Sequence, residues 1–132
     1  MEMLLALGAL LAEPMRLPDP LAAGWRGQAV CERLHEDERQ RVLRCAFPPG
    51  VGHERHFQVP HFGYALSGGK MLIADASGTR EVELKTGSHF TSGGTAWHEV
   101  LNVGDTTVVY LIVEPKKVGE KSRSDRQSSK RW

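Results

Sequence analysis

From residue 27 onward, apolar and polar positions alternate in short runs separated by glycine-, proline- and serine-rich breaks. Gln28 to Leu34 and Arg41 to Phe47 flank the polar stretch His35-Glu36-Asp37-Glu38-Arg39-Gln40, which reads as a hairpin. Pro48-Pro49-Gly50-Val51-Gly52 closes that run as a loop. Phe62 to Leu66 is a strand ended by Ser67-Gly68-Gly69. Lys70 to Asp75 and Arg80 to Leu84 form a second hairpin around Ala76-Ser77-Gly78-Thr79. In its second strand Val82 and Leu84 alternate with Glu81, Glu83 and Lys85, one dry face against one wet face. Ser88 to Thr91, Trp97 to Asn102 and Thr107 to Glu114 complete the set. Strands this short, with turns this frequent, predict an all-β closed barrel or sandwich. No helix-periodic segment lies between residues 27 and 114.

The ends read differently. Residues 1–12 are an apolar run too short to span a bilayer, with Glu2 where a secretory leader carries basic residues. A short helix packed on the domain or on a second subunit is the expectation, with a cytoplasmic location. Pro14, Pro18 and Pro20 make residues 13–26 an extended connector. The expected division is an N-terminal extension over 1–26, a barrel over 27–115 and a basic flexible tail over 116–132. That tail holds seven lysines and arginines against two acidic residues, so the near-neutral net charge of +1 hides an acidic barrel. Its only aromatic is Trp132, so nothing there favours base stacking, and no nucleic-acid or membrane partner is expected.

Across 132 residues, 40% hydrophobic and 25% charged is ordinary globular composition for one domain. Cys31 and Cys45 flank the first hairpin, which would bring them face to face, but two cysteines make no framework; reduced, partly buried thiols are the expectation. No glycine-rich loop leads into a helix, which argues against dinucleotide or P-loop chemistry. No serine or cysteine nucleophile sits at motif spacing with a histidine.

The chemistry gathers in His53, His56, His61 and, one barrel turn later, His98. Imidazoles drawn from separate strands are how a small β protein assembles a divalent-metal site. The spacing Gly87, five residues, Gly93, one, Thr95, two, His98, three, Asn102 resembles the second signature of the cupin superfamily. That signature has proline and glycine where this chain has Gly93 and Thr95. Pro49-Gly50, the histidine cluster and Tyr64-Ala65-Leu66-Ser67-Gly68 look like the first signature. The resemblance covers about residues 27–115 and implies a single-domain cupin β-barrel (jelly roll). It also implies metal ligands: His98, a histidine pair two residues apart, and a glutamate. Here the glutamate position falls on His61. Counting forward from Gly50 puts the pair on His56 and Gln58; allowing a longer loop puts it on Glu54 and His56. His56, His61 and His98 are common to both registers, and the fourth ligand is Gln58, Glu54, His53 or water.

Three neutral imidazoles suit Zn, Fe, Ni or Cu as a divalent ion. Histidine in place of the family's glutamate removes a negative charge, which makes a bound ion a stronger Lewis acid. Period-2 alternation turns Phe62, Tyr64, Trp97 and Glu99 away from the ligand face, and sets Gly63 and Asn102 on it. Gly63 is either room for substrate or a barrel bend, and Asn102 either supports a ligand or, the expectation, caps the following turn. His35 and His89 are expected in solvent. Two classes of function follow: a metal-dependent enzyme (oxygenase, isomerase or lyase type) acting on a small polar molecule, or a non-catalytic cupin that binds a small ligand or metal in an accessory or sensor role. A homodimer is expected, because an unpaired sheet edge is a liability.

Overall fold

A computed structural model describes residues 16–117. The apolar run over 1–12, the start of the connector and the tail from 118 lie outside the described residues. Those described form eleven strands and no helix: β1 Gly24–Trp25, β2 Gln28–Ala29, β3 Cys31–Glu36, β4 Gln40–Phe47, β5 Gly52–Gln58, β6 His61–Ser67, β7 Gly69–Asp75, β8 Gly78–Leu84, β9 His89–Ser92, β10 Thr95–Asn102 and β11 Val108–Pro115. A four-stranded sheet runs β5-β10-β7-β8 and a five-stranded sheet β3-β4-β11-β6-β9. The chain changes sheet between β4 and β5, β5 and β6, β6 and β7, β8 and β9, β9 and β10, and β10 and β11, so the two sheets close on one interior.

The interior is built by alternation. Leu43, Cys45 and Phe47 of β4 and Val108 and Ile112 of β11 point inward, with Leu43, Phe47 and Val108 fully buried. Asn102 holds the β10–β11 corner: its Nδ2 donates to the carbonyls of Phe47 and Thr106, both at 2.8 Å, and its Oδ1 accepts from Gly104 N–H at 2.9 Å. The turn-capping role read for it from sequence is the one it plays.

Two features depart from expectation. Cys31 and Cys45 are register partners across β3 and β4, with Cα atoms 4.0 Å apart, and form a disulfide rather than free thiols. Antiparallel pairing sets both side chains side by side on the core face, where only each other is within reach. The connector, expected to be extended, instead lies along β5 as a strap and enters a small hairpin. Phe57 N–H donates to Pro18 O at 3.1 Å, covering part of an open sheet edge. Arg26 and Gly27 both have positive φ (51° and 85°), the pattern of a tight two-residue turn, and this folds β1 onto β2.

Candidate functional site

The histidine-bearing stretch is strand β5, and its register explains which side chains face inward. His98 pairs with His56 but Val100 pairs with His53, so two residues of β5, Glu54 and Arg55, stand opposite one of β10, Glu99. This bulge breaks strict alternation and buries both His53 and His56. Gln58 follows on the same face. His61 enters from β6 in the opposite sheet, and His98 from β10.

His56 and His98 meet, with Nε2 atoms 3.0 Å apart and ring centroids 4.5 Å apart. His56 Nδ1–H donates to the Glu54 carbonyl at 2.7 Å, and His61 Nδ1–H donates to the Val59 carbonyl at 2.8 Å. A carbonyl only accepts, so both rings hold their proton on Nδ1 and keep an Nε2 lone pair, the anchoring common to metal-ligating histidines. Burial, then the neighbouring His56 and His61, pushes His98 down to about 4, and burial lowers His56. Both are neutral near pH 7.

His53 Nε2 and the Glu54 carboxylate are engaged away from the His56–His98 pair. The His53 ring stacks on His56 at 3.8 Å between centroids, and its Nε2–H is committed to the Pro20 carbonyl at 3.0 Å. Burial, with His56 beside it, pushes its pKa down to about 3. Glu54 faces outward and accepts from Arg26 N–H at 3.0 Å.

Gln58 leads to a residue that the sequence reading passed over. Its Nε2 donates to Glu114 Oε2 at 3.3 Å, and its side chain also reaches His56. Glu114 Oε1 accepts from Arg41 Nε at 2.6 Å, and Arg41 Nη1 donates to Asp19 Oδ2 on the strap at 2.9 Å. Glu114 shares its face with Val108 and Ile112; a carboxylate on the dry side of a strand was the available signal.

The donor set suits a divalent cation in part. Nitrogens about 2.1 Å from one ion and at right angles lie about 3.0 Å apart, and the His56–His98 pair matches that span. Among the described residues, however, no three His, Cys, Asp or Glu side chains converge as one ligand group. The structure brings His56 and His98 together and places His61 and Gln58 on the wall of the same chamber, a space of about 430 Å³.

The other aromatic and polar positions fall as alternation predicts. Phe62 and Tyr64 are exposed on the outer face. Trp97 lies under the Arg55 guanidinium at 3.9 Å, and Arg55 also reaches Glu99 at 3.6 Å. His89 is exposed beside Phe62, and His35 pairs with Asp37 in its turn. Gly63 is not an opening for substrate: the Phe90 ring occupies the space a Cβ would need.

No protein-family model matches the chain, and no curated protein matches it. Solved structures do. A cupin domain from Bordetella pertussis Tohama I superposes with a TM-score of 0.63 at 24% identity, covering 79% of this chain and all of that one. The chain has the cupin fold. The cupin barrel here is also similar to the polyketide cyclase RemF from Streptomyces resistomycificus (TM-score 0.57, 19% identity, 78% of this chain and 71% of that one). The cupin domain of Cnp3 from Schizosaccharomyces pombe is a third likeness (0.52, 17%, 71% and 69%). Identities this low speak to the fold, which hosts many chemistries.

Proposed function

We propose that this cupin binds one divalent metal ion at His56 and His98, completed by His61 or Gln58, and acts on a small molecule held in the adjoining chamber. The observation that carries this reading is the pair of buried His56 and half-buried His98 with Nε2 atoms 3.0 Å apart, beside a His61 whose proton is likewise fixed on Nδ1. A bound ion would supply Lewis acidity, polarising an oxygen of the substrate or lowering the pKa of a water. The protein's own part is positional. The Glu54 and Val59 carbonyls fix the ring orientations, and Arg41 holds Glu114, which holds the Gln58 amide. The second reading, a non-catalytic binding cupin, uses the same chamber and lacks only turnover.

Calorimetric titration of zinc or nickel into metal-free protein tests the site. One ion per chain is expected for the parent, with at least a tenfold weaker response in His98→Ala and His56→Ala, a weaker response in one of His61→Ala and Gln58→Ala, and an unchanged β-type circular dichroism spectrum. Parent-like binding by His98→Ala would remove the pair from the site.

The protein also works as a homodimer in this reading. Phe62, Tyr64 and Leu66 form an exposed row on the outer face of β6. Phe62 and Tyr64 pair with Val113 and Leu111 of β11, which extend the apolar patch. Contiguous patches of this kind mark contact surfaces. Light scattering should give twice the chain mass for the parent and the chain mass for Phe62→Glu; a monomeric parent would reject the dimer.

A further inference from the structure

The chamber beside the histidines has walls that the imidazole pair does not explain. Its volume of about 430 Å³ lies within the range of pockets that enclose drug-sized ligands. Met71, Ile73, Val82, Val100 and Ile112 line it from both sheets, and no lysine or arginine among the described residues does. A small polar acid would therefore find no lysine or arginine on this wall among the described residues and would leave most of it wetted. The Phe90 ring, seated over Gly63, adds a flat apolar surface.

Tyr110 supplies the polar counterpart. It lines the chamber, and its hydroxyl has no hydrogen-bond partner among the described residues. Every buried side-chain nitrogen or oxygen described has a partner, so the Tyr110 oxygen keeps accessible surface. Burial pushes its pKa upward, which keeps the phenol a donor at physiological pH. A phenol donor without a protein partner among largely apolar walls, with the His61 Nε2 lone pair on the same cavity, fits a flat apolar body carrying an oxygen.

We propose that the chamber takes a one- or two-ring apolar compound bearing an oxygen substituent, a phenol or a cyclic enolisable ketone, with its oxygen accepting from Tyr110 in the chamber that His61 and His98 also line. This assignment rests on the site reading given above and names its substrate class. The apolar body provides affinity by leaving water, and the oxygen sets orientation.

The test is a calorimetric titration of the full chain, metal-free and zinc-loaded, with 2-naphthol and separately with oxalate. The expected result is one 2-naphthol per chain in both forms, and no binding of oxalate to the metal-free form. Tyr110→Phe should weaken 2-naphthol about five- to tenfold, the worth of one hydrogen bond. Ile73→Trp, which fills the chamber, should abolish binding, with Val82→Trp as a second filler if the first fails to fold. Absence of 2-naphthol binding, parent-like binding by a folded filler variant, or tighter binding of oxalate than of 2-naphthol by the metal-free chain would each overturn the proposal. Naphthol binding without zinc uptake upholds the ligand class and rejects the metal reading. Zinc uptake without naphthol binding does the reverse.

Discussion

Replacing Arg41 by alanine is expected to lower the stability of the fold by about 3–5 kcal/mol, the usual cost of leaving a buried charge without its partner. Arg41 donates to Glu114 at 2.6 Å and to Asp19 at 2.9 Å, and the Glu114 side chain is only 5% exposed. Without the guanidinium, Glu114 keeps only the longer contact from Gln58, at 3.3 Å. The strap also loses its anchor through Asp19 on β4. The loss comes from the orphaned carboxylate more than from the intact pair's net worth, so the double variant Arg41→Met, Glu114→Leu should recover most of it. Urea unfolding of the three proteins decides the matter. A loss below about 1 kcal/mol in Arg41→Ala would mean that the pair is effectively solvated.

Acidification of the metal-free chain should destabilise it progressively from about pH 6.5 down to about pH 3. His98 is pushed from 6.5 to about 4 and His53 from 6.5 to about 3, in both cases by burial first and by the neighbouring His56 next. Their folded pKa values lie below the unfolded one, so the unfolded chain binds more protons throughout that window. Stability therefore falls as pH falls, and this contribution levels off below about pH 3. At about 1.4 kcal/mol per pKa unit the combined effect is several kcal/mol, shared by a coupled cluster rather than divisible between rings. Asp37, held down to about 2 chiefly by its hydrogen bond from His35, and Asp75, held to about 2 chiefly by Ser77, add their losses only below about pH 4. The two groups of residues thus act in separable windows. Denaturant midpoints measured from pH 7.5 to 3.5 should slope downward through the histidine window, and less steeply in His53→Asn. A flat profile between pH 6.5 and 4 would show that the histidines are hydrated.

Alternation made most of the barrel legible. Val82 and Leu84 against Glu81 and Glu83 fixed the faces of β8, and the same period set His61 and His98 inward with Phe62, Tyr64 and Trp97 outward. Alternation fails where the period itself fails. The β5 bulge turns His53 and His56 to the same side although they are three residues apart, and no composition rule marks its position. Longer-range facts were equally hidden. Glu114 becomes part of the site only because β11 pairs with β4, which brings Arg41 opposite it in register. The disulfide depends on Cys31 and Cys45 falling in direct register across β3 and β4, which a shift of one residue would undo. Gly63 reads as free space until Phe90 of β9 is seen to pair with it. The strap's contacts with Phe57 and His53 belong to tertiary structure, since three prolines in a row of polar and apolar residues specify extension but not its docking place.

The central claim is that His56 and His98 hold a metal ion. Elemental analysis of protein purified without an affinity tag, alongside the His56→Ala variant, tests it most directly. The account predicts about one zinc, iron, nickel or copper per parent chain and near-complete loss in the variant. A parent that carries no metal even after incubation with excess divalent ions, or a His56→Ala variant that retains the parent's metal, would contradict it.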